Sequence, residues 1–360
     1  MTRYRVAIIG TGDIAGAHMR ALNEVKDRVQ VVAAMDVDRA RVEKYSAAHN
    51  IPRSYTDAVA MLEAEQLDLI HIATPPSTHY SLITRCLEAG AWVWCEKPLC
   101  TSLAEVDQIA QIERQTGKYC SSVCQWRFGS GAQHLKHLIQ MQAMGRPLVG
   151  ICHTTWYRTQ AYYNVPWRGK WATEGGGTTM GHGIHAMDLF LWLLGDWDEV
   201  CAMAGTLDRE IEVEDVSMAT VRFQNRALGS VVNSALSPRQ ETYLRFDFQR
   251  ATVELTGLYG YSNKNWQYSL PDKVVDEAAL SEWREIPSDI PSSHAAQLAF
   301  LLDSMDRNER PPASTTDVRP TLEFITALYK SAATGHPVRS GSISQDDPYY
   351  HHVAGQVPQG

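Results

Sequence analysis

The 360-residue sequence lacks the marks of several protein classes. Its seven cysteines (86, 95, 100, 120, 124, 152 and 201) include no Cys-x-x-Cys pair. An odd, unpaired set fits reduced thiols better than a disulfide framework. There is no basic excess. The formal net charge is -8, spread along the chain, which argues against nucleic acid or an anionic membrane as the main partner. There is no long hydrophobic run either. The longest, 186–194, contains Asp188 and is too short to span a bilayer. The opening "MTRYRVAIIG" has no apolar segment followed by a cleavage site, and no internal repeat is evident. The expectation is a soluble, cytoplasmic protein.

What is present is an ordinary globular composition, 44% hydrophobic and 21% charged, long enough for two domains. Residues 1–123 alternate strands with helices. "RVAIIG", "VQVVAAMD", "LDLIHIAT", "AWVWCEKP" and "KYCSSV" are apolar strand runs. The helix predicted over 102–116 begins with a capping box, Ser102 and Glu105, and ends at Gly117. Such β-α-β units predict a parallel sheet covered on both faces. From about residue 148 the period changes. Ala219, Val221 and Phe223 alternate with Thr220, Arg222 and Gln224, and Phe246 and Phe248 with Arg245, Asp247 and Gln249. Alternation of that kind predicts an antiparallel sheet with one polar face, solvated or against a second subunit. Two helices are predicted at 293–308 and 319–334. The expected fold class is α/β, with a dinucleotide-binding domain over 1–123, a substrate-binding and oligomerisation domain over 124–340, and an extended arm over 341–360.

The segment "GTGDIAGAH" follows the first strand and opens a helix. Gly10 makes the tight turn, Gly12 lets backbone approach a pyrophosphate, and Ala15 lets helix and strand pack closely. Thr11, Asp13 and Ile14 complete the turn, and the free amides of the helix start suit phosphates. Asp36 ends the second strand, where a carboxylate takes the adenosine ribose hydroxyls and repels a 2′-phosphate. NAD is therefore expected over NADP, with Arg39 and Arg41 read as solvated charges. "CEKPL" puts Glu96, Lys97 and Pro98 at the carboxyl end of a strand, the ligand edge of an open parallel sheet. A lysine there can stabilise negative charge developing on a substrate oxygen.

"VAIIGTGDIAGAH", "ATPPSTHY", "GAWVWCEKPL" and "GGGTTMGHGIHAMDLFLWLLG", in this order, resemble the Gfo/Idh/MocA family of NAD(P)-dependent oxidoreductases over most of the chain. The resemblance implies a Rossmann domain, then an α/β domain with an open, mostly antiparallel sheet, and hydride transfer on a sugar, inositol or related polyol. It implies that Lys97 is the catalytic lysine, that His185 matches the catalytic histidine, and that Thr74, Pro75, His79, Glu96 and Lys97 join Gly10, Gly12 and Asp36 along the cofactor. Gln125 and Arg168 complete that candidate set. One departure stands out. Many members carry an aspartate four residues before the histidine, where this chain has Gly181. On a regular helix, 181 and 185 lie about 40° apart, and His182 lies about 60° from His185 on the other side. His182 is thus a candidate for the same cleft, and Asp188, one turn on, for fixing the His185 tautomer. A metal at His182 and His185 would want a third ligand, so none is expected.

The expected mechanism has His185 accepting the hydroxyl proton while Lys97 stabilises the oxygen becoming a carbonyl. "TTWYRTQAYYNVPWRGKWATEGGG", with Arg127 upstream, supplies candidate substrate contacts in Arg127, Trp156, Arg158, Tyr163 and Trp167, beside Lys97, His182 and His185. Aromatic faces suit sugar rings, and arginines a carboxylate or phosphate. Three functions remain open: a dehydrogenase of a ring hydroxyl in a sugar, glycoside or inositol; an NAD-dependent glycosidase or lyase with transient oxidation; and a non-catalytic dinucleotide-binding regulator. The family resemblance supports a homodimer or homotetramer.

Overall fold

Short, almost wholly apolar runs form the first sheet. Its strands are β1 (Tyr4–Ile9), β2 (Val29–Met35), β3 (Arg53–Tyr55), β4 (Leu69–Ile72), β5 (Trp92–Cys95) and β6 (Cys120–Ser122). All pair in parallel, in the order β3-β2-β1-β4-β5-β6. That order places the switch point between β1 and β4, where a dinucleotide crosses in folds of this type. Val6, Ala7, Ile8 and Ile9 are completely buried because helices cover both faces. The computed structural model describes residues 3–274 and 276–355.

The helix Leu103–Thr116 begins and ends where the sequence predicts. The Ser102 hydroxyl accepts from the Glu105 amide at 3.2 Å, and Gly117 takes the left-handed conformation. The Glu105 carboxylate accepts from the Thr101 amide at 2.9 Å, one residue before the position a capping box implies.

The second sheet comprises β7 (Pro147–Tyr157), β8 (Trp197–Gly205), β9 (Val216–Phe223), β10 (Leu228–Ser234), β11 (Leu236–Phe248), β12 (Thr252–Gly257), β13 (Trp266–Ser269) and β14 (Val338–Arg339). Their order is β13-β12-β11-β7-β10-β9-β8-β14. Every pair is antiparallel except β7 with β10, so the sheet is mixed. The run 241–255 divides into two strands at a tight turn, where the Phe248 amide donates to the Ala251 carbonyl. Ala219, Val221 and Phe223 face inward as expected. On that face lies the buried helix Ile184–Leu194, whose Phe190 ring meets Phe223 and Phe246 at 5.6 and 5.9 Å.

Two compact units result: 1–123 with 294–319, and 124–293 with 320–360. The helix His294–Arg307, expected in the second domain, belongs to the first. Its Leu298, Leu301, Leu302 and Met305 form a helical stripe buried with Met19, Leu22, Trp92 and Trp94. A linear division of the chain misses this, because that stripe finds its apolar partners more than 200 residues upstream. The expected arm also differs. Ile343, Tyr350 and Val353 are buried, and Asp347 caps the helical turn Pro348–His351 while pairing with Lys330. Residues 356–360 of that expected arm lie outside the described residues. Among the described residues, no helix is long and apolar enough to cross a membrane.

Candidate active site

In the first unit, β1 runs into Gly10, which has φ of +88° and whose amide donates to the Met35 carbonyl at 2.8 Å. A Cβ there would lie 2.6 Å from the Ala73 carbonyl oxygen, so only glycine fits. Gly12 differs: a Cβ on it would meet nothing within 4 Å. Asp13 and Ile14 are exposed beside it, and the helix Ala15–Glu24 has no side-chain cap. The Ala15, Gly16 and Ala17 amides donate to the Gly12, Asp13 and Ile14 carbonyls, so an anion's place is over the exposed Gly12–Ile14 turn, at the positive end of the helix.

Asp36 staples the turn to the second strand. Its Oδ2 accepts from the Thr11 amide at 2.8 Å and the Thr11 hydroxyl at 3.0 Å; its Oδ1 accepts from the Asp38 amide at 3.0 Å. Burial pushes the carboxyl up, but these hydrogen bonds and the nearby Arg41 outweigh it and hold it below the ordinary carboxylate value. An ionised carboxylate, an open glycine face and an uncapped helix start fit the adenosine and pyrophosphate of NAD. Arg41 reaches Asp36 and Asp38 at 3.5 Å, and Arg39 is an exposed partner of Glu43, as expected of solvated charges.

The loop after β4 presents Thr74 and Pro75, both half-buried. His79, expected along the cofactor, lies instead completely buried beneath this loop. Its Nε2 meets the Thr74 carbonyl at 2.9 Å and its Nδ1 the Pro98 carbonyl at 2.8 Å. It therefore ties the 74–75 loop to the Lys97–Pro98 turn. Desolvation lowers its pKa despite those carbonyls.

Glu96 also turns inward, and its side chain does not line a cofactor face. Its Oε1 lies 3.2 Å from His18 Nε2 and 3.0 Å from His294 Nε2, while Oε2 accepts from the Lys97 amide at 3.2 Å. His18 Nδ1 in turn faces His71 Nδ1 at 3.1 Å. Desolvation opposes ionisation of Glu96, but the two imidazoles hold its carboxyl well below the usual range. Burial pushes His71 well down. The donor atoms of His18, Glu96 and His294 lie within 4.8 Å of one another, close enough to surround an ion. The hydrogen bonds between them already satisfy those atoms. Lys97 itself is half-buried, just past the end of β5.

In the second unit, a π-helical turn, Thr179–Gly183, precedes the helix Ile184–Leu194. The glycines before it are dictated by packing. A Cβ on Gly177 would lie 1.8 Å from the Glu214 carbonyl oxygen, and one on Gly176 would lie 2.3 Å from the Tyr329 hydroxyl. The buried Glu214 carboxylate accepts from the amides of Gly177 and Thr179, both at 2.9 Å, and from the Tyr329 hydroxyl at 3.1 Å. Desolvation raises its pKa, although those donors oppose the shift.

The wider π turn means that 181, 182 and 185 do not follow the α-helical spacing the sequence implies. His185, at the head of the α-helix, stacks on Trp126 (5.8 Å between centroids, 19° between planes) and meets the edge of Tyr259 at 5.4 Å. His182 lies 5.3 Å from Trp156, and Trp156 lies 6.0 Å from Tyr259. Ring contacts thus run from His182 through Trp156 and Tyr259 to His185. The Arg158 Nε and the Tyr162 hydroxyl each lie 3.2 Å from His182 Nε2. Arg158 is a donor only, so Nε2 carries a lone pair and His182 is neutral. Gly181 faces Glu174: a Cβ there would be 3.5 Å from Glu174 Oε1. A carboxylate thus stands beside the position where the chain lacks one.

Other expected contacts are internal. Arg127, expected to meet substrate, is buried and grips both oxygens of Asp188, with Nε to Oδ2 at 2.7 Å. Thr321 donates to the same carboxylate at 3.0 Å, so Asp188 anchors Arg127 and the helix start. Trp156 is buried and donates to Thr242 at 2.9 Å. Tyr163 is buried against Tyr162. Gln125 is buried and donates to the Tyr259 hydroxyl at 2.9 Å. Trp167 and Arg168 are half-buried and stacked, the guanidinium 4.3 Å from the ring centroid. Tyr259 and Glu174 were not singled out from the sequence. Tyr259 sits in an unremarked "GLYGY" loop, and Glu174 adjoins the triple glycine, the one local signal available for it.

Residues 4–123 match the model of an oxidoreductase family with an NAD-binding Rossmann fold, GFO_IDH_MocA, and 132–258 match its C-terminal domain model. The chain is 26% identical to D-apiose dehydrogenase of Paraburkholderia graminis, over 96% of this chain and 92% of the relative. It is 27% identical to myo-inositol 2-dehydrogenase of Thermotoga maritima, over 64% and 68%. Among solved structures, the WlbA dehydrogenase of Chromobacterium violaceum, in complex with NADH and UDP-GlcNAcA, superposes with a TM-score of 0.84 at 26% identity, covering 94% of this chain and 96% of that one. With the open Gly12 turn and the ionised Asp36 in hand, these matches place the protein: it belongs to the Gfo/Idh/MocA family of NAD-binding oxidoreductases.

Proposed function

We propose that the protein is an NAD-dependent dehydrogenase that oxidises a secondary ring hydroxyl of a sugar, glycoside or inositol to a ketone, or runs the reverse reduction. The observation that carries the reading is His185. It is an imidazole fixed between Trp126 and Tyr259 at the head of a buried helix. Relatives that share most of this chain's length support it, being dehydrogenases of apiose and, at 24% identity, of a D-glucoside at position 3 in Escherichia coli.

When bound, NAD supplies the hydride acceptor. His185 accepts the hydroxyl proton, and the Lys97 ammonium stabilises the oxygen as it becomes a carbonyl. Gly10, Thr11, Gly12, Asp13, Ile14 and Asp36 hold the dinucleotide, with Thr74 and Pro75 beside it; His79 and Glu96 shape that edge from beneath. His182, neutral and held by Arg158, orients the substrate side. A second copy of the chain packs on the outer sheet face, where register pairs the exposed Val149 with Leu228 and, further along the strands, Met203 with Met218.

The test is a panel of sugars, glycosides and inositols with NAD and with NADP, following reduced cofactor. Net NADH from at least one ring alcohol, with NADP slower, is the expected outcome. Release of a leaving group without net NADH would favour the elimination chemistry instead. Binding of NAD without any turnover would favour a regulator.

A further inference from the structure

In the second unit, two guanidinium groups converge on one phenol. The Arg158 and Arg168 guanidinium carbons lie 5.4 and 4.1 Å from the centroid of the Tyr162 ring. Arg168 donates to the Tyr162 hydroxyl, which lies 3.2 Å from His182 Nε2, the atom that Arg158 also reaches.

The charges in this cluster do not cancel. Both arginines are permanently cationic. His182 is neutral, for the reason given above. Tyr162 is neutral as well, because burial raises its pKa from an already high ordinary value. The nearby anion is Glu174, whose Oε1 is 3.5 Å from Arg168 while its Oε2 accepts from the Gly169 amide at 2.6 Å. Arg158 forms no ion pair among the described residues. Its bonds go to neutral acceptors: the Tyr157 carbonyl at 2.9 Å, Gln240 Oε1 at 3.3 Å and His182. One positive charge is left over in a half-buried setting, where it costs more than in water.

The guanidinium planes are held in place. Arg158 lies over Trp156 at 5.0 Å, and Arg168 over Trp167 at 4.3 Å. Arg158 spends Nε and Nη1, and Arg168 its Nη1, on protein acceptors, so Arg158 Nη2 and Arg168 Nε and Nη2 are the donors left, among the described residues, for the two oxygens of a carboxylate.

We infer that Arg158 and Arg168 receive a carboxylate carried by the substrate, so that the ring alcohol oxidised is that of an acid sugar. The word substrate rests on the dehydrogenase reading; the anion site does not. A carboxylate balances the single surplus charge. A phosphate dianion would overshoot it, with Glu174 close by.

The experiment is calorimetric binding to the full-length protein loaded with NADH. The probes are D-glucuronate, D-galacturonate, D-glucose and D-glucose 6-phosphate, for the wild type and for Arg158→Gln and Arg168→Gln. At least one uronate should bind about tenfold tighter than glucose, and in each variant that preference for the acid over glucose should shrink about tenfold. For the wild type alone, uronate affinity should fall with added salt while glucose affinity does not, which tests the site even if a variant fails to fold. Equal affinity for acid and neutral sugar, losses shared by both, or no uronate binding would overturn the inference. Tighter binding of the 6-phosphate would overturn the carboxylate assignment. Arginine-dependent uronate binding without NADH formation from NAD would support the anion site and remove the oxidation reading.

Discussion

The protein has two glycine-rich turns ahead of functional helices, and they exist for opposite reasons. At Gly12 an added Cβ meets nothing of the protein within 4 Å, so what the residue leaves room for is a ligand. At Gly177 the added atom would sit 1.8 Å from the Glu214 backbone, so what it leaves room for is the protein itself. Both turns look alike as strings of letters. The first is open because a dinucleotide must approach backbone; the second is closed because a buried glutamate gathers its amides. The lesson is that a glycine motif reports close approach, and only packing tells what approaches.

The largest effects should come from the chemical groups that each unit contributes. Lys97→Ala in the first and His185→Ala in the second should each lower kcat by about 10²–10⁴, with NADH affinity retained. Near-normal turnover in both variants would sink the assignment.

Next come the glycines. Gly177→Ala should lower stability by roughly 3 kcal/mol or more, because it overpacks backbone against backbone. Gly12→Ala should leave the melting temperature almost unchanged and weaken NADH binding about tenfold. A melting curve and a titration on each variant read the contrast directly; a stable Gly177→Ala protein would erase it.

The units should also differ in their response to pH. In the first, burial places the pKa of His18 and His71 below the unfolded value of 6.5. Their stabilising share is complete above that value and is lost as pH falls, since unfolding then takes up protons. In the second, burial raises Glu214 above its unfolded value of 4.5. Its share is complete below that value and is lost as pH rises through the folded pKa. Urea unfolding between about pH 7.5 and 5.5 should show falling stability with acid, dominated by the histidines. Glu214→Gln should steepen that fall. A flat profile for the wild type would contradict the burial of neutral imidazoles.

The smallest effect concerns the missing aspartate. Gly181→Asp has room, but its carboxylate would stand beside Glu174. Like charges at that distance should raise the acid limb of the pH–rate profile, with kcat changed only a few-fold. An unchanged profile would mean that the new side chain points elsewhere.

Much of the first unit was legible because its signals are local. The turn from Gly10 to Ala15, Asp36 at a strand end and the Ser102 cap all lie within one β-α step of the residues they serve. The inward turn of Glu96 was not legible, since one partner, His294, is 198 residues away. The helix carrying it was assigned to the wrong domain for the same reason. In the second unit, Arg127 and Asp188 are both visible in the sequence. Their mutual grip, 61 residues apart, removes one from the substrate list and the other from tautomer control. The spacing from 181 to 185 misled because it assumed an α-helix where the chain makes a π turn.

By itself, then, the sequence determined five of the first sheet's six strands, missing the short β3, together with the dinucleotide turn with its ionisable Asp36 and which histidine leads the buried helix. These follow from periodicity, caps and glycine placement, all short-range properties of the chain. Tertiary structure alone decided which polar side chains are committed to each other and which are left with donors to offer. Arg127 and Asp188 cancel, Glu96 is taken by His18 and His294, and Arg158 and Arg168 share too little negative charge. The reason is physical: burial makes every unpaired charge costly, and only the packed fold shows which charges have met their partners.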